Sequence, residues 1–92
     1  HASSSDPDLI KAAMAMNDGD LDASEAALTA RLQRMPDDPA GARLLGEVKW
    51  RRGDIAEALM LVERAVDFAP GFDLARDFLI RLLLQANRLP EA

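Results

Sequence analysis

Three features of the sequence predict an all-α fold. Apolar residues recur at intervals of three and four along most of the chain, the spacing of an amphipathic helix face. Gly-Asp turns interrupt that spacing at regular distances. Nearly half of the 92 residues are apolar, led by Leu and Ala, and only four are aromatic, a balance that suits helix packing rather than sheet.

The expected helices run near residues 7 to 17, 21 to 34, 39 to 52, 54 to 68 and 73 to 86. Residues 1 to 5 lack an initiator Met and any apolar run, and read as a tag remnant or a disordered start. The first and third helices open on Asp6-Pro7 and Asp38-Pro39. Each pair sets a capping carboxylate before a proline that has no amide bond to lose there. The second helix follows Gly19-Asp20 and the fourth follows Gly53-Asp54. Gly53 can take the left-handed conformation that closes the preceding helix, and Asp54 with Glu57 resembles a capping box. The fifth helix follows Pro70 and carries Phe78, Leu79, Leu82 and Leu83 as an apolar stripe, and a sixth is expected to begin near Arg88.

Set against itself, the chain repeats every 34 residues. Gly19-Asp20-Leu21 recurs as Gly53-Asp54-Ile55 and again as Asn87-Arg88-Leu89, and Pro36 recurs as Pro70. Ser24, Ala58 and Ala92 are all small, while Leu28 and Val62 are both apolar. Helix pairs at a period of 34 resemble the tetratricopeptide repeat (TPR) family. The middle copy carries the family pattern most fully, with Leu45-Gly46 in its first helix and Ala58, Val62, Ala65 and Pro70 in and after its second. Gly46 and Ala58 would face each other where those helices cross, because only small residues permit that approach. The resemblance implies a right-handed superhelix of about two and a half repeats, at 6 to 38, 39 to 72 and a truncated 73 to 92. The outer copies depart from the pattern. Lys11 and Arg31 replace a Leu and an Ala in the first, as suits a terminal repeat with one face open to water, and Ile80 replaces the Gly of the third. The segments Trp50-Arg51-Arg52-Gly53-Asp54 and Ala69-Pro70-Gly71-Phe72 are also similar to the N-terminal TPR region of bacterial TPR-containing sulfotransferases.

In TPR arrays the first helices of the repeats line a concave wall on which partner peptides lie. Carried over by position, that wall would hold Leu9, Ala13, Met16 and Asn17 from the first repeat. The second would add Arg43, Glu47, Trp50 and Arg51, and the third Asp77, Arg81, Leu84 and Gln85. Trp50 is the only tryptophan; flanked by Met16 and Leu84, it either anchors a partner or packs between adjacent helices. Arg43, Glu47 and Arg51 alternate in sign at i, i+4, as do Asp77 and Arg81. The repeat offset would bring Arg43 to Asp77 and Glu47 to Arg81, giving a self-compensated lattice across the groove; the alternative is an ion-binding groove.

Other chemistries lack their residues. The Lys and Asn of a TPR carboxylate clamp are replaced by Leu9 and Ala13. Asp18, Asp20 and Asp22 suggest a calcium loop, but Ala23 stands for the turn glycine and Thr29 for the bidentate Glu. Arg52-Gly53-Asp54 spells an adhesion tripeptide in what reads as an ordinary interhelical turn. With no cysteine and only His1, the chain carries no thiolate site, cysteine nucleophile or Ser-His-acid set. No cofactor or metal is expected. Eleven basic residues against sixteen acidic ones, without a basic cluster, argue against nucleic acid. No stretch approaches a membrane span, so the expected location is the cytoplasm.

The leading expectation is a TPR protein-protein interaction module, a non-enzymatic scaffold fragment of a larger bacterial protein, receiving a peptide or protein surface on its concave face. The alternative is an oligomerisation or spacer element of a multidomain enzyme such as a TPR sulfotransferase. Phe78, Leu79, Leu82 and Leu83 would favour a twofold homodimer, since a truncated array leaves apolar surface open.

Overall fold

The computed structural model of the chain describes residues 7–88 as five helices: α1 (Pro7–Asn17), α2 (Leu21–Arg34), α3 (Pro39–Arg51), α4 (Ile55–Phe68) and α5 (Asp73–Arg88). Their boundaries follow from turn chemistry that occurs twice. Gly19 and Gly53 take positive φ, 85° and 87°, which a residue without Cβ adopts cheaply. Each is followed by an N-cap: Asp20 accepts from the Ala23 amide at 3.1 Å, and Asp54 from the Glu57 amide at 3.2 Å. The ends of α2 and α4 match as well, with the Met35 amide donating to Arg31 and the Ala69 amide to Ala65. The 34-residue repeat of the sequence is thus a repeat of backbone hydrogen bonds.

The third copy of the turn differs. Asn87 occupies the place of the two glycines, yet the helix runs on through Arg88 instead of stopping near 86. Asparagine pays a steric cost in the left-handed conformation that glycine escapes. The Asp6 cap, residues 1 to 5 and the rest of the expected sixth helix lie outside the described residues.

Helices adjacent in sequence pack on one another, and α3 also touches α1 and α5. The helices α1, α3 and α5 therefore form a row, with α2 bridging the first two and α4 the last two. Small residues allow the close crossings. In the first helix pair the fully buried Ser24 donates to the Ala12 carbonyl at 2.9 Å. In the second pair Gly46 and Ala58 hold the equivalent positions: a Cβ on Gly46 would stand 2.6 Å from Val62 Cγ2 and 3.4 Å from the Ala58 carbonyl oxygen. Leu28 and Val62 seal the two crossings and are both fully buried. The main core joins Leu9, Ala12 and Met16 of α1 to Leu28, Leu44, Leu45, Val48 and Leu61.

Arg31 does not face water as expected; it is 3% exposed, bonded to Asp38 and 3.7 Å from Asp8. The positions 34 residues later, Ala65, Phe72 and Ala42, belong to an apolar cluster completed by Ala75. A charged cluster in the first repeat therefore fills the space that an apolar one fills in the second. Burial is tolerated because each charge is paired. At the opposite end of α2, Glu25 accepts from Lys49 and pairs with Arg52, each at 2.9 Å, and Arg52 also meets Asp22. Among the described residues no helix is long and apolar enough to cross a membrane.

Candidate functional site

Helix periodicity places Arg43, Glu47 and Trp50 on one face of α3, and Leu74, Asp77, Arg81 and Gln85 on the facing side of α5. Between them lies a cleft of about 200 Å³, floored by Phe78 and Leu82. A second, more apolar hollow of about 310 Å³ lies beside it, lined by Leu9, Ile10 and Ala13 of α1 together with Ala40, Leu44 and Phe72. Arg43 and Leu74 line both.

Trp50 settles its structural role first. Its indole N–H donates to Gln85 Oε1 at 2.8 Å, and its ring meets Phe78 edge-on, with centroids 5.9 Å apart. These contacts tie α3 to α5. The ring nevertheless remains 38% exposed, so one side of it forms cleft surface.

The expected charge lattice does not form. Glu47 pairs along its own helix, with Arg43 at 3.5 Å and Arg51 at 3.0 Å. Among the described residues no ion pair joins Arg43 to Asp77 or Glu47 to Arg81, and Asp77 and Arg81 make none with each other. Glu47 instead finds both arginines at i±4 on its own helix, which needs less side-chain ordering than a pair across the cleft. Arg43 Nε is buried without a hydrogen-bond partner.

Six of the twelve concave-wall residues come together in the cleft: Arg43, Glu47, Trp50, Asp77, Arg81 and Gln85. Arg51 is held by Glu47 at its rim, while Asn17 and Leu84 are exposed outside it. Met16 and Leu9 are corrections, since both are core residues, 4% and 6% exposed. The stripe expected on α5 is corrected too. Leu82 is 1% exposed against Ala58 and Val62, Phe78 and Leu79 pack half-buried beside it, and of the four only Leu83 is exposed. Those residues cover α4, because α5 carries more than one apolar arc and spacing alone does not say which arc faces inward. The exposed apolar residues of α5 are Leu74, Ile80, Leu83 and Leu84.

Sequence reasoning missed Leu74, although the 34-residue offset pairs it with the half-buried Ala40. The buried Arg31 cluster was missed for want of any local signal. Among the described residues no group of three or more His, Asp or Glu is arranged to hold a metal ion. Compared with protein-family models, with curated proteins and with solved structures, the chain finds no match.

Proposed function

We propose that the chain is a TPR-type protein-interaction module that takes an extended peptide or protein segment in the cleft between α3 and α5. One observation carries the proposal: the cleft holds open charge. Asp77 and Arg81 make no ion pair among the described residues, and Arg43 Nε is buried without a partner, all beside the half-open Trp50 ring. A lattice already paired would offer a ligand little, whereas open polar groups beside an apolar floor gain from a partner that satisfies them. Opposite charges one helical turn apart suit a polypeptide, which carries groups of both signs. The repeated Gly-Asp turns and small-residue crossings support the TPR reading. The chain acts by binding, with no cysteine and no histidine beyond His1 for nucleophilic or imidazole chemistry. A cytoplasmic location and a bacterial parent protein belong to the same proposal.

A second reading, a spacer or oligomerisation element of a multidomain enzyme such as a TPR sulfotransferase, draws on the exposed Ile80, Leu83 and Leu84. The test is to pan a displayed random-peptide library against the chain and titrate the enriched peptides by Trp50 fluorescence. The cleft reading expects Trp50 emission to shift and Arg81→Ala or Asp77→Ala to weaken binding about tenfold, or about 1.4 kcal/mol. Binders indifferent to Trp50, Asp77 and Arg81 would overturn it.

A further inference from the structure

The apolar hollow and the cleft are equivalent spaces one repeat apart. The hollow lies between α1 and α3 and the cleft between α3 and α5, so each has a described helix on either side. Their linings correspond at the 34-residue offset. Leu9 of the hollow stands where the cleft has Arg43, Ala13 where it has Glu47, and Ala40 where it has Leu74. Charged or long side chains of the cleft thus give way to apolar or small ones in the hollow, which is the larger space, about 310 Å³ against about 200 Å³. Arg43 and Leu74 line both, so the two spaces adjoin at α3.

Arg43, at that junction, is incompletely satisfied. Glu47 accepts a hydrogen bond from Arg51 at 3.0 Å but stands 3.5 Å from Arg43, whose Nε has no partner. The Arg43 side chain is 20% exposed, so an incoming carboxylate reaches its guanidinium and competes only with the looser of the two Glu47 contacts. Arg43, Arg51 and Arg81 against Glu47 and Asp77 leave this face one positive charge in excess, on a chain of net charge minus five. We infer, resting on the reading of the cleft as a peptide site, that the segment it takes is acidic with an apolar anchor. A large aliphatic or aromatic side chain sits in the hollow against Leu44 and Phe72, and an aspartate or glutamate three residues away meets Arg43 in the cleft. The spacing follows from the row: packed helices stand about 8 to 10 Å apart, and a polyproline-II segment presents the same face every three residues, about 9 Å. A basic residue at the second position would instead meet the arginine excess.

The probe is a displayed random-peptide library panned on the 92-residue chain, with the enriched peptides titrated against variants whose helical circular dichroism matches wild type. Enriched sequences should share a large apolar residue three positions from an Asp or Glu. Truncating the apolar residue to Ala should weaken binding about tenfold to a hundredfold on wild type. The loss should be far smaller on Ala40→Leu, whose hollow is filled by the side chain that Leu74 carries 34 positions later. If Ala40→Leu fails to fold, Ala13→Glu, which copies Glu47, takes its place. Replacing the acid by its amide should weaken binding about tenfold on wild type and leave it unchanged on Arg43→Gln, a double-mutant cycle. The two readings fail differently. Peptides that need Trp50, Asp77 and Arg81 overturn this inference alone if they lack the apolar anchor, keep full affinity for Ala40→Leu, carry Lys or Arg at the spaced position, or lose as much from the amide on Arg43→Gln as on wild type. An empty panning, or peptides indifferent to the cleft residues, overturns both.

Discussion

Gly46 shows how a single absent atom decides a helix crossing. Alanine there would gain about 1 kcal/mol in helix propensity over glycine. Its Cβ, however, would stand 2.6 Å from Val62 Cγ2, on a β-branched side chain that is fully buried and stiff about χ1. Overpacking of this kind costs about 1 to 3 kcal/mol. Gly46→Leu is therefore expected to lower the unfolding free energy by that amount, read as a lower urea midpoint, and Gly46→Ala to end no more stable than wild type. An unchanged midpoint for the leucine variant would remove the crossing from the account. Arg31 poses the opposite problem, a charge where the second repeat has Ala65. Arg31→Ala leaves the Asp38 carboxylate buried and unpaired, at a cost of about 3 to 5 kcal/mol. Copying the second repeat in full, with Asp8→Ala, Arg31→Ala, Asp38→Phe and Gly41→Ala together, should restore wild-type stability or exceed it. The Asp38 side chain makes no capping bond to α3, so its loss removes only the ion pair. A quadruple variant as unstable as Arg31→Ala would show that the charged and apolar clusters are not interchangeable.

At the scale of elements, α2 is tied to the end of α3 by Lys49 and Arg52 reaching back to Glu25 and Asp22. The hydrogen bond from Lys49 to Glu25 holds the ammonium above the ordinary lysine value of 10.5, against a smaller desolvation that lowers it. A raised folded-state pKa contributes stability that is complete below the unfolded value and is lost as pH climbs through the folded one. The pair is partly exposed, so its contribution is below about 1 kcal/mol. Urea midpoints measured from neutral to strongly alkaline pH should therefore fall less steeply for Lys49→Met than for wild type, the two curves converging above the lysine range. Parallel curves would mean that this link between α2 and α3 adds nothing to stability.

Across the whole molecule, stability should be uneven, because among the described residues α3 packs against all four other helices while α1 and α5 have fewer neighbours. Stacked arrays draw stability from neighbour contacts, and local opening starts where those contacts are fewest. Amide hydrogen exchange is expected to be slowest in α3, faster in α1, and fastest in the last turn of α5 beyond Leu82. Exchange in α5 as slow as in α3 would contradict this order. The elongated shape, 41 × 29 × 20 Å, has the same origin as the uneven stability.

The five described helices and the four turns between them were legible in the sequence because their causes are local. Gly53, Asp54 and Glu57 lie within one turn, and their backbone bonds need no distant partner. The 34-residue period also made the crossing of Gly46 with Ala58 legible, since it aligns small residues whose only shared property is size. Six of the nine residues that line the cleft followed in the same way, Arg43, Glu47 and Trp50 from α3 and Asp77, Arg81 and Gln85 from α5. What the period left open is what each side chain does once it faces a neighbour. Glu47 could pair along α3 or across to α5, and in the packed molecule it pairs along α3, with Arg43 and Arg51. Met16 and Leu82 belong to apolar arcs that spacing alone could turn either way, and packing against Val48 and Val62 turned both inward. Arg31 was the least legible of all. Arg31 is buried only because Asp8 on α1 and Asp38 just before α3 arrive together to neutralise it, and that coincidence exists only once the helices have packed.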